Sequence, residues 1–269
     1  MPLNFGSPGK VEPGQPVLAK IARQWVLALL VLTAIATAYR LLAPDHGPAY
    51  SWNFLTLKPF LGSIASGLIV TIELTAISLC LSIALGIFVA AARRSAFVPL
   101  RWVTAGYIEV MRSTPLLIQL VWIFYALPVV SGIVLPSYEA AVLALTMHMA
   151  AYYGEAYRAG IQAIPKEYIE AADVLGLNAM DRARFVVLPQ AVRNVLPVLV
   201  TLSLLLLKDT SLVSILGIND LMNIGQFIAL STFKPLEVLT TVGVIYLLVA
   251  LPLTILVRKL EVRMADKIV

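Results

Sequence analysis

The sequence predicts an all-α membrane protein with about six transmembrane helices and both termini in the cytoplasm. Three observations predict it: the composition, a series of long apolar runs, and the uneven placement of Lys and Arg. Of the 269 residues, 60% are hydrophobic and 13% are charged. A soluble domain carries about a quarter charged residues. The mean hydropathy is +0.89. A helix crossing a bilayer needs about 20 mainly apolar residues. Six runs meet that need: Trp25–Leu42, Leu68–Ala92, Leu116–Val134, Ala140–Tyr157, Val195–Leu216 and Leu239–Val257. Pro128, Pro197 and Pro252 fall inside runs. Neighbouring helices re-satisfy the carbonyls that proline frees, so kinks are expected there, not breaks.

Lys and Arg set the orientation. With the N-terminus inside, sixteen of the twenty lie on cytoplasmic segments. Only Arg40, Lys58, Lys208 and Lys234 fall on the outer side. The net charge of +5 does not indicate nucleic-acid binding, because the charges sit between apolar runs and not along one surface.

Residues 1–24 read as a flexible cytoplasmic leader rich in Pro and Gly, without the apolar core of a cleaved signal peptide. Residues 25–59 hold the first span and an outer loop, 60–260 the main transmembrane domain, and 261–269 a cytoplasmic tail. The outer loops at 43–60 and 217–238 carry Tyr50, Trp52 and Phe233, which suit a membrane interface. The single cysteine, Cys80, rules out an internal disulfide, and no Cys/His metal spacing is present. No cofactor is expected. Nothing resembles a phosphate-cradling G-x-x-x-x-G-K-[ST] loop, H-E-x-x-H or G-x-S-x-G.

Between the fourth and fifth runs the pattern is a cytoplasmic helix–glycine–helix hairpin. Pro165 suits a first helical turn, and Glu167 suits its positive dipole end. Ile164, Tyr168, Ala171 and Leu175 share one face, while Lys166, Glu170 and Asp173 share another. Gly176 supplies the left-handed residue that closes the helix. Asn178, with Asp181 three residues on, caps the next helix. Pro189 is expected to bend the chain back into the bilayer. Two readings of this hairpin stand: a surface loop lying on headgroups, or a knob for a partner's groove.

The stretch "EAADVLGLNAMDRARFVVLP" resembles the EAA loop of binding-protein-dependent ABC transporter permeases. The matching positions are Glu170, Ala171, Ala172, Gly176, Val186, Leu188 and Pro189, with Val186 where isoleucine is usual. "MRSTPLLIQL", "YRAGIQAIPKEYIEAA", "LPQAVRNVLP" and "KDTSLVS" resemble the polar amino acid branch. That branch usually has Gly-Gln before the EAA triplet, where this chain has Glu167-Tyr168-Ile169. The resemblance covers roughly residues 60–257. It implies that the first hairpin helix is a coupling helix, carried by Glu170, Ala171, Ala172, Gly176, Leu188 and Pro189. It implies a multi-pass protein of the bacterial inner membrane. The implied partners are two ABC ATPase subunits, a second permease subunit, identical or homologous, and an extracytoplasmic substrate-binding protein. ATP hydrolysis is expected on the separate ATPase and not on this chain.

Charges at bilayer depth cost about 2.5–3.5 kcal/mol at a helix centre, so they face a cavity or a partner. Glu73, Lys208 and Asp209 are the candidates, with Thr210, Ser211 and Gln119 as polar companions along a substrate pathway. Lys208 and Asp209 are adjacent and point about 100° apart on a helix. Either the helix is interrupted there or each finds its own partner. A snorkelling Lys208 near the interface is the plainer reading. Glu155 and Arg158 suit an i, i+3 salt bridge, and His148 reads as a satisfied interior residue. An ion-gradient-driven transporter of a small polar solute is the rival reading. It leaves the capped hairpin without a task.

Overall fold

The computed structural model describes residues 50–265 and, ahead of them, scattered helical positions between Leu27 and Ala38. The predicted leader, most of the Trp25–Leu42 span, both termini and the end of the tail lie outside the described residues. The chain divides into two units, Met1–Trp52 and Asn53–Val269. The helices α1 to α8 all belong to the second.

A 3-10 turn, Phe54–Phe60, leads into α1, Leu61–Arg93. Helix α2, Val98–Ser113, opens with proline in its first turn, where a missing N–H costs nothing. Pro115 then pushes Thr114 out of helical geometry, to φ −102 and ψ 140, and α2 stops. Helix α3, Leu116–Ser131, leaves at 110° to α2. Next come α4, Ser137–Gln162, and α5, Lys166–Val174. Helix α6, Ala179–Leu216, is followed by α7, Leu221–Thr232, and α8, Pro235–Ala265.

Two π turns widen these helices, at Trp122–Ala126 in α3 and Ala183–Val187 in α6. Each is closed by a leucine N–H, Leu127 to the Trp122 carbonyl and Leu188 to the Ala183 carbonyl. Each of these leucines directly precedes a proline, Pro128 or Pro189. Proline lacks an N–H and crowds the preceding turn, and a wider turn accommodates both defects. Pro197 lies within an α-helical stretch of α6.

Helix α4 is the centre of the bundle, with α1, α2, α3 and α6 around it. Ala140, Ala141, Ala144, Leu145, Met149, Ala150, Ala151 and Tyr153 along it are almost fully buried. Small residues allow the approach of α1 and α4. A Cβ on Gly86 would lie 2.6 Å from Tyr153 Cβ, and one on Gly154 would lie 2.5 Å from Val89 Cγ1. A second core joins the 3-10 turn, α1, α7 and α8 through Leu57, Ile64, Leu221, Ile228, Val238 and Val242.

Six spans were expected, and the first of them lies mostly outside the described residues. Among the described residues three helices are long and apolar enough to cross a membrane: Phe54–Arg93, Ala179–Leu216 and Pro235–Pro252. The bent α2–α3 pair makes a fourth if taken as one span. Helix α4 covers the expected Ala140–Tyr157 run, but it is not among these. Walled in by its neighbours, it needs little lipid-facing apolar surface, and its sequence is rich in alanine with His148, Glu155 and Arg158. Two expected loops are helical. Residues 98–113 form α2, missed because Arg101, Glu109 and Arg112 break its apolar pattern. Within 217–238 lies α7, too short at 12 residues to register as a span. The second hairpin helix runs on through its π turn as the first part of α6.

Candidate functional site

The hairpin starts from Ile164, which is buried, and Pro165, which takes the N-cap position of α5 at ψ 141. Its glycine turn is a Schellman motif: Leu177 N–H donates to the Ala172 carbonyl at 3.1 Å, and Gly176 N–H to the Asp173 carbonyl at 3.0 Å. Gly176 has φ +71, the left-handed geometry the motif demands. Asn178 Oδ1 then accepts from Met180 N–H at 3.0 Å and Asp181 N–H at 2.9 Å. Its amide donates to Asp181 Oδ2 at 2.7 Å. Asp173 and Arg182 form an ion pair across the turn. The turn is therefore closed by its own residues, without help from the bundle.

Of the EAA triplet, Glu170 and Ala171 are exposed and Ala172 is buried. The predicted apolar face points outward beyond Ile164: Tyr168, Ala171 and Leu175 are all exposed. Val174 is 88% exposed, Leu175 76% and Met180 74%. Leu188 and Pro189 are exposed at the end of the π turn.

At its other end α6 stops being an α-helix at Asp209, and Thr210–Leu216 continues as a 3-10 turn. Thr210 Oγ1 donates to the Leu207 carbonyl at 2.7 Å, and Ser211 Oγ to the Lys208 carbonyl at 2.8 Å. The two hydroxyls thus satisfy the backbone where the helix changes pitch. Lys208 is exposed and Asp209 half-buried. The interruption left open by the sequence is present.

Beyond the break lies a buried polar junction that the sequence did not mark out. Asp220 is fully buried and caps α7, accepting from Met222 N–H and Asn223 N–H, both at 3.1 Å. Burial pushes its carboxyl up to about 6, against the pull of those backbone N–H groups. Leu221 N–H donates to Thr71 Oγ1 on α1 at 3.0 Å. Glu237, also fully buried, accepts from Asn53 N–H at 3.0 Å and lies 3.8 Å from Lys234 Nζ. Asp220 before an apolar run and Glu237 in the first turn after Pro235 were the available signals.

Gln119 staples the α2–α3 bend. Its Nε2 donates to the Met111 carbonyl at 3.0 Å, the Thr114 carbonyl at 3.1 Å and Thr114 Oγ1 at 2.7 Å. These acceptors fix the amide orientation, so Oε1 faces His148 Nδ1 at 3.0 Å, which must donate. His148 is buried and satisfied, as its isolation in the sequence suggested. Glu155 and Arg158 form the expected salt bridge. Glu73 is exposed on α1, with its charge facing Tyr138. No hydrogen bond or ion pair among the described residues joins Glu73 or Gln119 to the Lys208–Ser211 stretch.

A helical bundle with several helices long and apolar enough to cross a membrane defines an integral membrane component. Residues 82–266 match the family described as binding-protein-dependent transport system inner membrane component, and the chain belongs to that family. It is a multi-pass protein of the bacterial inner membrane. It is 34% identical over 209 residues to the arginine transport system permease protein ArtQ of Bacillus subtilis (strain 168), covering 78% of this chain and 95% of that protein. It is 32% identical over 223 residues to the glutamate/aspartate import permease protein GltK of Escherichia coli O157:H7, covering 80% of this chain and all of that one. A crystal structure of an amino acid ABC transporter with histidines superposes with a TM-score of 0.75 at 34% identity, covering 80% of this chain and 100% of that one.

Proposed function

We propose that the chain is the permease subunit of an ATP-driven importer that moves a polar amino acid, or a close derivative, delivered by an extracytoplasmic binding protein. The carrying observation is the hairpin. A turn that caps itself, then exposes Glu170, Val174, Leu175 and Met180, is a rigid projection with an apolar face and no internal partner for it. Helices of this kind dock in a groove of another protein. Relatives named as permeases for arginine and for glutamate/aspartate support the amino acid reading.

In this reading two ATPase subunits receive the coupling helices of two permease subunits, identical or homologous. Energy enters through α5 and passes to α6, whose N-terminal part packs on α5 and which runs on to Lys208 and Asp209. Those two charges, with exposed Glu73, line the pathway. Thr210 and Ser211 hold the break that presents them, and Gln119 fixes the bend that frames them. A zwitterionic solute needs a group for each charge, and Lys208 and Asp209 supply one of each sign.

The test is uptake of radiolabelled amino acids into proteoliposomes. The full chain with its ATPase and binding protein should transport only with ATP. Glu170→Lys should lower recovery of the ATPase on co-purification and abolish uptake while the chain stays membrane-inserted. Uptake by the chain alone under an ion gradient would establish the rival transporter instead.

A further inference from the structure

A cleft of about 460 Å³ opens between α1, α4 and α6. Its walls include Ile87, Ala91, Ile161, Val192, Leu196 and Leu199. The volume falls in the range of small-molecule sites, about 300–1,000 Å³. Two lining residues carry polar side-chain groups. The Tyr157 hydroxyl donates to the Ile83 carbonyl at 3.5 Å. The other is Arg94, exposed at the C-cap of α1, where a membrane-crossing helix ends.

A polar amino acid does not suit this space. It needs donors and acceptors along its length, and these walls supply methyl and methylene groups. The chemistry that fits is a hydrocarbon chain with an anion at one end. The surroundings favour the same ligand. Arg93 Nη1 donates to the Arg101 carbonyl at 3.3 Å, which ties the start of α2 to the basic end of α1. Among the described residues no carboxylate lies within ion-pair distance of Arg93, Arg94 or Arg101. Phe97 is 65% exposed and Trp102 72%, aromatic anchors of the kind found at a membrane boundary. Basic pockets between membrane helices are suited to anionic lipid headgroups.

We propose that this cleft holds an acyl chain of an anionic phospholipid, with the lipid phosphate on the Arg94 guanidinium. The lipid then sits between the end of α1 and the first membrane turns of α6.

Native mass spectrometry of the full chain, delipidated in neutral detergent, tests this. The probes are dioleoyl phosphatidylglycerol, dioleoyl phosphatidylcholine and glycerol 1-phosphate. One phosphatidylglycerol should bind per chain about fivefold more tightly than phosphatidylcholine, as expected for one added cation–anion contact. Arg94→Gln should erase that preference. Ala91→Phe places a ring in the cleft from an exposed position and should weaken both lipids. Should Ala91→Phe fail to fold, Ala91→Leu serves as the smaller plug, with an unchanged thermal midpoint as the control. Equal binding of the two lipids, or indifference to both substitutions, overturns the proposal. So does displacement of phosphatidylglycerol by glycerol 1-phosphate, which reveals simple anion binding. A chain dimer that Ala91→Phe disrupts overturns it as well, by making a second copy the occupant.

Discussion

Helix α6 begins at Asn178, whose side chain caps the helix in the open, two residues after the Gly176 turn. Its α-helical part ends at Asp209, and the 3-10 turn after it leads to buried Asp220, beside Thr71 of α1. At the first end every stabilising bond joins residues within nine positions of one another. At the other, Leu221 bonds to Thr71 across 150 positions, and past α7, at the start of α8, Glu237 accepts from Asn53 across 184. The first end is a self-contained projection. The second is a weld between distant parts of the chain. Damage to the first should therefore cost partner binding, and damage to the second should cost the fold.

The largest effect expected is at Asp220. Its carboxyl titrates at about 6 when folded and near 3.8 when unfolded. A raised folded value means protonation favours the fold. The contribution is complete below about pH 3.8 and is lost as pH rises through 6, a difference of about 3 kcal/mol. Thermal midpoints in detergent should fall between pH 4 and pH 6.5 in the wild type. Asp220→Asn should remove that part of the slope. An identical slope in the variant would detach the junction from stability.

Next is Glu237→Ala, which removes the acceptor of the Asn53 N–H and should cost about 2 kcal/mol. It should lower the thermal midpoint without lowering recovery of the ATPase from intact protein. Gly176→Val reverses the pattern. Nothing lies within 4 Å of the added Cβ, so the cost is backbone strain alone, about 1–2 kcal/mol at φ +71. ATPase recovery should drop while the midpoint stays put. Asn178→Ala removes two accepted N–H bonds and should cost about 1 kcal/mol of hairpin order, seen as faster amide exchange over residues 178–182. Should the two glycine- and cap-directed changes melt the bundle instead, the contrast between the ends fails.

This contrast also explains what could be read in the sequence. The hairpin was legible because caps, glycine turns and face patterns act over a few residues. The Gly176 turn and the Asn178–Asp181 cap were both visible in six letters. Hydropathy likewise marked α1, α6 and α8. Helix α4 was found as an apolar run, but its burial was not readable, since hydropathy cannot distinguish a helix wrapped by protein from one wrapped by lipid. Helices α2 and α7 were lost for opposite reasons, one charged and one short. Asp220 and Glu237 each carried a local capping signal, but their distant partners, the Thr71 pairing and the Asn53 N–H, were not readable, because they meet only after folding.

The π turn at Ala183–Val187 has a mechanical consequence. It threads one extra residue into a rod without lengthening it by a full step, and so shifts the angular phase of everything downstream by about 100°. The projecting face of residues 179–182 and the bundle-facing side of 188–209 are thereby indexed independently on a single shaft. Gaining or losing one residue at that joint would re-aim the handle while leaving the shaft seated in its socket.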